Sequence, residues 1–459
     1  MDTTTSPRTQ STQSAGFRTF LFIWAAQLIA RTGNGLTAFG LGVHVFRVTG
    51  RATPVAMVAM AAFLPSVLLA PIGGVIADRF DRRLVMILGD TSSAIGLILL
   101  LFALHNHASI AILCGCVAFG SVCQSVMDPA YRATVSDLLT PDEYARAGGL
   151  VQLASASQYL IAPALGGAIL AHAAVTALIT IDICTMATTV LAMGIVWRNL
   201  RTKVTATSAR EEGFWEGFRL GVRWLAGERG VVTMLCLITL VTFCIGFAQT
   251  LFTPLLLDLT TERVLGILTS VSACGMLVSS AVIGGLGTGN NHLRYLACGL
   301  ACTGIALAAL GSTPNVILIG VFAFAFFMTL PVLNTSLEVL VRAAIPNETQ
   351  GRVWGLISLI SQIGYLFAYA LAGPLADQVF NPLLRPDGAL AHSVGTVIGV
   401  GNTRGIGLMF IVVGALLIGL AGLLQRSRSA RALQANFLTK LNETATDTPA
   451  TTTDTPASE

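Results

Sequence analysis

Apolar runs of about twenty residues, the length a helix needs to cross hydrocarbon, recur along this chain, and they restrict its fold more than any other feature. The stretch from Val231 to Leu257 is typical: predominantly aliphatic, with no alternation of polar and apolar positions. In lipid every backbone N–H and C=O needs an internal partner, so only helices and closed barrels span. The missing period of two excludes barrel strands, which leaves helices. Composition agrees. Hydrophobic residues make up 54% of the 459 and charged residues 11%, with mean hydropathy +0.75, whereas soluble domains carry roughly a quarter charged residues. A soluble chain of this kind would expose an aliphatic surface and aggregate.

Twelve spans are predicted, over 17–46, 55–77, 84–104, 110–127, 147–171, 175–197, 231–257, 265–286, 295–310, 316–337, 353–376 and 406–424. The expected class is an all-α membrane protein of two six-helix bundles, 17–197 and 231–425. A linker, 198–230, joins them, and the tails 1–16 and 426–459 lie outside. The first run is too long for a cleaved signal and is expected to be retained. In the linker, Phe214, Phe218, Val222 and Leu225 recur at helical spacing among arginines, which suggests a helix on the membrane surface. The N-terminal tail is expected to be disordered. The C-terminal tail is expected to be basic and then disordered, since beyond Lys440 it is rich in Thr, Pro and Ala.

Basic residues fix an expected orientation. With both termini inside, 21 of the 27 Lys and Arg fall on the inner side and five on the outer, leaving Arg31 within a span. The net charge of +4 is therefore a topological signal and not a sign of nucleic-acid binding. The nine cysteines sit in apolar runs and read as small apolar side chains. His105 and His107 have no third ligand nearby, so no metal or cofactor is expected.

The two bundles echo each other. Pro141-Asp-Glu143, Arg146 and Gly149-Leu150 return as Pro346-Asn-Glu348, Arg352 and Gly355-Leu356, offset by 205 and then 206. Ala162-Pro-Ala-Leu-Gly-Gly167 faces Ala368-Tyr-Ala-Leu-Ala-Gly373 at 206, and Gly73-Gly74 with Arg83 faces Gly284-Gly285 with Arg294 at 211. A parallel six-plus-six repeat with an inner linker is the plan of transporters that rock two halves about a midplane site. Small residues in spans five and eleven, Pro163, Gly166, Gly167 and Gly373, suit a sliding seam.

After span two the chain reads Gly74-Val-Ile-Ala-Asp78-Arg79-Phe-Asp81-Arg82-Arg83. This resembles the G-x-x-x-D-R-x-G-R-R signature of the major facilitator superfamily, with Asp81 in place of the second Gly. The resemblance covers nearly everything from Phe17 to Leu424, and the ADRFDRR and GRVWGL stretches are similar to the branch of macrolide-efflux proteins and the enterobactin exporter. A carboxylate such as Asp78 suits a helix N-terminus. The resemblance makes that helix span eleven, near Arg352, and implies that the contact locks the outward-facing state. It also pairs Arg82 with Asp128, making Asp78, Arg82 and Asp128 a conformational latch. Pro163, Gly166 and Gly167 resemble what remains of the antiporter motif of proton-driven exporters, with Gln158 and Ala162 replacing its first two glycines.

Arg31 lies near mid-depth, where a lone cation costs at least about 2.5 kcal/mol. It is expected, with Asn34 three residues on, to meet substrate or to answer to a protonatable acid. Among the other acids, Asp182 is expected to be structural, and Glu338 is expected to meet Arg132 in an inner gate. No nucleotide-binding loop or nucleophile–base pair at family spacing is present, which argues against ATP hydrolysis and against an enzyme. The resulting expectation is a transporter of the bacterial inner membrane, working as a monomer. It would exchange protons for a small amphipathic molecule such as a siderophore, another secondary metabolite or a macrolide-like drug. Nutrient uptake by proton symport is the alternative; a membrane enzyme or receptor on the same scaffold is a minor one.

Overall fold

The computed structural model describes residues 8–199, 227–287, 289–345 and 350–446, together with Arg219, Arg223 and Leu225. The first half contains α1 (Arg8–Thr49), α2 (Ala52–Arg79), α3 (Arg82–His105), α4 (Ile110–Leu138), α5 (Tyr144–Leu160), α6 (Ala162–Leu170) and α7 (Val175–Asn199). The second contains α8 (Arg229–Leu257), α9 (Glu262–Leu286), α10 (His292–Ser312), α11 (Val316–Ala344), α12 (Gln350–Pro374), α13 (Arg404–Arg426) and α14 (Arg428–Thr446). Eleven helices among the described residues are long and apolar enough to cross a membrane. The twelfth crossing is α1, made more polar by Arg18 and Arg31 but packed along α5 and α7. The molecule is apolar outside as well as in: Phe102, Leu191 and Ile317 are each two-thirds or more exposed, as lipid-facing side chains must be.

Span five is two helices. The break falls at Ile161, with Pro163 in the first turn of α6, where a missing N–H costs nothing. Span eleven does not break at the equivalent point. It continues from Pro374 into a π-helical turn, Leu375–Phe380, which re-aims the side chains that follow.

Within the halves, α2, α3 and α4 pack together, as do α1 and α7 in the first and α8 with α12 and α10 with α13 in the second. Between the halves the main contacts are α6 with α9 and α2 with α12. These two crossings are equivalent under the repeat: span five of one half seats on span eight, and span eleven on span two.

Both tails depart from expectation. α1 is helical from Arg8, well before residue 17. The stretch after Arg426, expected to be basic and to become disordered beyond Lys440, is helical from Arg428 to Thr446, and its first turns are docked. Ala430, Leu433, Gln434 and Phe437 form an i, i+3, i+4, i+7 stripe. Ala430 and Leu433 are buried, and Phe437 meets the His292 ring edge-on at 5.0 Å. Gln434 accepts from the Leu293 N–H at 3.0 Å and donates to the Asn290 carbonyl at 2.7 Å, satisfying an orphan amide at the start of α10. The linker helix proposed on Phe214, Phe218 and Val222 lies outside the described residues; Leu225 is buried.

Candidate functional site

A cavity of about 390 Å³ lies between the halves. Its polar lining comes from Asn34, Thr37, Ser66, Ser93, Ser121 and Gln124 of the first half and from Gln249, Thr250, Thr253 and Tyr369 of the second. The rest is apolar, Cys116 and Met186 included, and among the described residues no charged side chain lines it. Each polar group is an amide or a hydroxyl, able to donate and to accept. Such a wall suits an uncharged or amphipathic molecule held by shape and a few hydrogen bonds. Phe63 of α2 lies between Tyr365 and Tyr369 of α12, with ring centroids 5.4 Å from each, so an aromatic cluster bridges the two halves beside the cavity.

Toward the end of the molecule opposite the termini, three sets of contacts join the halves. Gly167 of α6 and Gly266 of α9 bring their helices backbone to backbone: a Cβ on Gly266 would strike the Pro163 carbonyl, and one on Gly167 would lie 2.5 Å from the Glu262 carbonyl oxygen. The Ala164 N–H, orphaned in the first turn of α6, donates to Ser270 Oγ of α9 at 3.0 Å. Arg47, near the end of α1, pairs with Glu262 at the start of α9 at 2.8 Å. The densest contact is at Asp377, in the π-turn after α12. Its carboxylate accepts from the Ala52 N–H at 3.0 Å, the Thr53 N–H at 2.8 Å and the Thr53 hydroxyl at 2.6 Å. Asp377 thus caps α2 from the opposite half, where unpaired N–H groups and the helix dipole favour an anion. Gly373 makes room for this, since a Cβ there would meet Thr53 Cα at 2.5 Å.

Of the residues expected at the seam, Pro163, Gly167 and Gly373 face the other half, whereas Gly166 packs on Phe39 of its own half. Asn34 lines the cavity, but Arg31 does not. Arg31 bonds Asp128 of α4 at 2.8 Å, which gives the mid-depth cation its counter-ion. The expected Arg82–Asp128 pair is therefore absent, and Arg82 binds Asp137 and the Ala133 carbonyl instead. Depth explains the exchange. Asp128 lies nine residues before Asp137 on α4, roughly 13 Å deeper at 1.5 Å per residue, while Arg82 begins α3 level with the last turn of α4.

Asp81, standing where the signature has Gly, caps α3 by accepting from the Arg83 N–H at 2.9 Å. Arg79 is exposed and Arg83 buried. Gly74 has open space at its Cβ position. The side chains of Asp78 and Arg352 lie outside the described residues. Glu338 pairs with Arg342 one turn along its own helix at 2.8 Å, and Arg132 lines a groove with Tyr131 and Tyr144; the structure shows no Glu338–Arg132 pair among the described residues. Asp182, fully buried, accepts from Thr37 at 2.6 Å and ties α7 to α1 behind the cavity.

The major facilitator superfamily model matches residues 23–369. The chain belongs to the major facilitator superfamily. It is 23% identical over 369 residues to macrolide efflux protein A of Streptococcus pyogenes, covering 78% of this chain and 90% of that one. It is also 23% identical over 380 residues to the multidrug efflux pump Tap of Mycolicibacterium fortuitum, covering 78% and 89%. Among solved structures, the nucleoside transporter NupG superposes with a TM-score of 0.65 at 12% identity, covering 89% of this chain and all of that one. A bacterial homologue of the lysosomal transporter Spinster, inward-facing and unoccupied, gives 0.67 at 14%, covering 92% and 98%. These superpositions establish the superfamily fold. The protein is a multi-pass membrane protein with transporter relatives, as expected from its signature.

Proposed function

We propose that the protein exports a small amphipathic molecule across a bacterial cytoplasmic membrane in exchange for protons, by alternating access. The observation that carries this reading is the uncharged, amide- and hydroxyl-lined cavity walled by both halves, with polar and backbone-to-backbone contacts between the halves stacked, among the described residues, toward one end of that cavity. The macrolide and multidrug efflux relatives support export of a drug-like compound or secondary metabolite. The arginine bias places both termini inside. On that orientation the Gly167–Gly266, Arg47–Glu262 and Asp377 contacts form an external gate, closed here. Asp78, Arg82 and Arg352 act as the opposing inner latch, while Asp128 serves Arg31.

The test is transport in everted membrane vesicles from cells making the protein, with labelled erythromycin and ethidium as probes. Energised vesicles are expected to accumulate a probe and to lose it when a protonophore is added. Accumulation that survives the protonophore would remove proton exchange, and accumulation in intact cells instead would support uptake. Within the same assay, Asn34→Ala and Gln249→Ala are expected to raise the KM severalfold each, since each removes one hydrogen bond of about 0.5–1.5 kcal/mol.

A further inference from the structure

Asp90 stands on α3 about 12 Å in from its first residue, taking 1.5 Å per residue. It is 2% exposed, and its Oδ1 has no hydrogen-bond partner. Gln27 of α1 is equally buried, and its Oε1 is also unpartnered. Both side chains line one narrow void with Thr189 of α7, its other walls being Ile23, Ala26, Met86, Ala192 and Met193. The void has no room for a water molecule. The Thr189 hydroxyl, which donates to the Met186 carbonyl, also lies within hydrogen-bonding reach of the Asp90 carboxylate, yet Oδ1 itself is left without a partner. Two buried acceptors thus share an apolar pocket, each costing about 1–3 kcal/mol when unpaired.

A proton resolves this. On Asp90 it turns one acceptor into a donor for Gln27 Oε1. When the proton leaves, rotation of the Gln27 amide presents an N–H to the carboxylate instead, because an amide carries both functions. The pair is accommodated in either state. We propose that Asp90 and Gln27 form the site that takes up and releases the driving proton, a role that rests on the proton-exchange reading above. The proton passes from hydronium on the outer side to the carboxylate and from the neutral acid to water on the inner side, with no other bond made or broken.

The charged groups near Asp90 are Arg31 from α1 and Asp128 from α4, with Tyr131 of α4 beside those two; among the described residues, Thr189 is the hydrogen-bonding side chain that α7 brings to Asp90. Arg31 and Asp128 are near enough to act on Asp90 electrostatically. Arg31 holds Asp128 through one terminal nitrogen, while its Nε has no partner, and the buried Tyr131 hydroxyl is likewise free. Ionised Asp90 offers Arg31 a second carboxylate in competition with Asp128. Gln27, Arg31 and Asn34 fall on one face of α1 at i, i+4 and i+7. A shift of Arg31 between two acids therefore moves the face that presents Asn34 to the cavity, which links proton to cargo.

The test begins with the purified protein and no cargo. Infrared difference spectra between acid and alkaline pH are expected to show a carboxylic-acid carbonyl band that Asp90→Asn removes and Asp182→Asn retains. Gln27→Leu is expected to shift its titration by roughly tenfold in proton concentration, the worth of about one hydrogen bond. In proteoliposomes, pH-driven movement of ethidium or erythromycin is expected to fall tenfold or more in Asp90→Asn, and gradient-free exchange of labelled for unlabelled probe by far less. Asp90→Glu, which keeps the acid, should retain a displaced band and separates loss of the proton site from loss of fold. A band and a transport rate unchanged by Asp90→Asn would overturn the assignment. Wild-type protein that shows the band but no gradient-driven transport would overturn the proton-exchange reading beneath it.

Discussion

Replacing Gly266 by leucine is expected to cut transport tenfold or more and to leave the end opposite the termini open. At this point α6 and α9 touch through backbone atoms. A Cβ on Gly266 would collide with the Pro163 carbonyl and come within 3.1 Å of Gly167 Cα. Neither obstacle is the tip of a flexible side chain, so the helices themselves must part. Overpacking of this kind costs about 1–3 kcal/mol. The cost falls only on the state in which the seam is closed, so it shifts the balance by roughly 5- to 150-fold toward the state in which the seam is open. Parting the helices also strands the Ala164 N–H from Ser270 Oγ. The measurement is the labelling rate of a cysteine at Thr253 in a cysteine-free background, with a membrane-impermeant reagent. It should rise in the order wild type, Gly266→Ala, Gly266→Leu. Wild-type labelling and transport in Gly266→Leu would show that the crossing is not a moving seam.

Much of this architecture is legible in the sequence because lipid leaves the backbone few options. The spans follow from apolar length, and the equivalence of Gly167 and Gly373 follows from an offset of 206. What sequence cannot supply is rotation and depth. Asp128 is visible as an acid ending a span, yet whether Arg82 or Arg31 reaches it depends on which arginine lies at its level. Glu338 has a basic residue four positions along its own helix, and that local partner is the one it takes. The stripe Ala430, Leu433, Gln434 and Phe437 was present in the C-terminal tail but hidden by its polar surroundings. Gln27, four residues before Arg31, carried a signal of the same kind: a second polar side chain on the buried face of a transmembrane helix.

Asp377 is the residue that the sequence shows least, because the groups it binds lie more than 300 positions away, and its removal should have the clearest effect on the closed state. The repeat itself marks it as special. At an offset of 206 its counterpart is Ala171, so only one of the two equivalent crossings carries a cap. Asp377→Ala leaves the Ala52 and Thr53 N–H groups and the Thr53 hydroxyl without their carboxylate. Hydrogen bonds to a charged group contribute about 1.5–3 kcal/mol, and loss of a helix cap costs about 0.5–2 kcal/mol. Taking about 2 kcal/mol, the closed state should lose roughly 30-fold in population relative to the open one. Arg51, whose Nε lies 3.8 Å from Asp377 but whose side chain is 60% exposed, should contribute far less, so Arg51→Ala serves as a control for charge alone. Spin labels at the exposed positions Val48 and Val264, one on each half beside the gate, report the outcome. Asp377→Ala should move their distance distribution toward the longer, open population, with Asp377→Asn falling between it and the wild type. If the distribution in Asp377→Ala matches the wild type, the cap holds α2 but not the gate, and closure must then rest on the Gly167–Gly266 crossing and the Arg47–Glu262 pair.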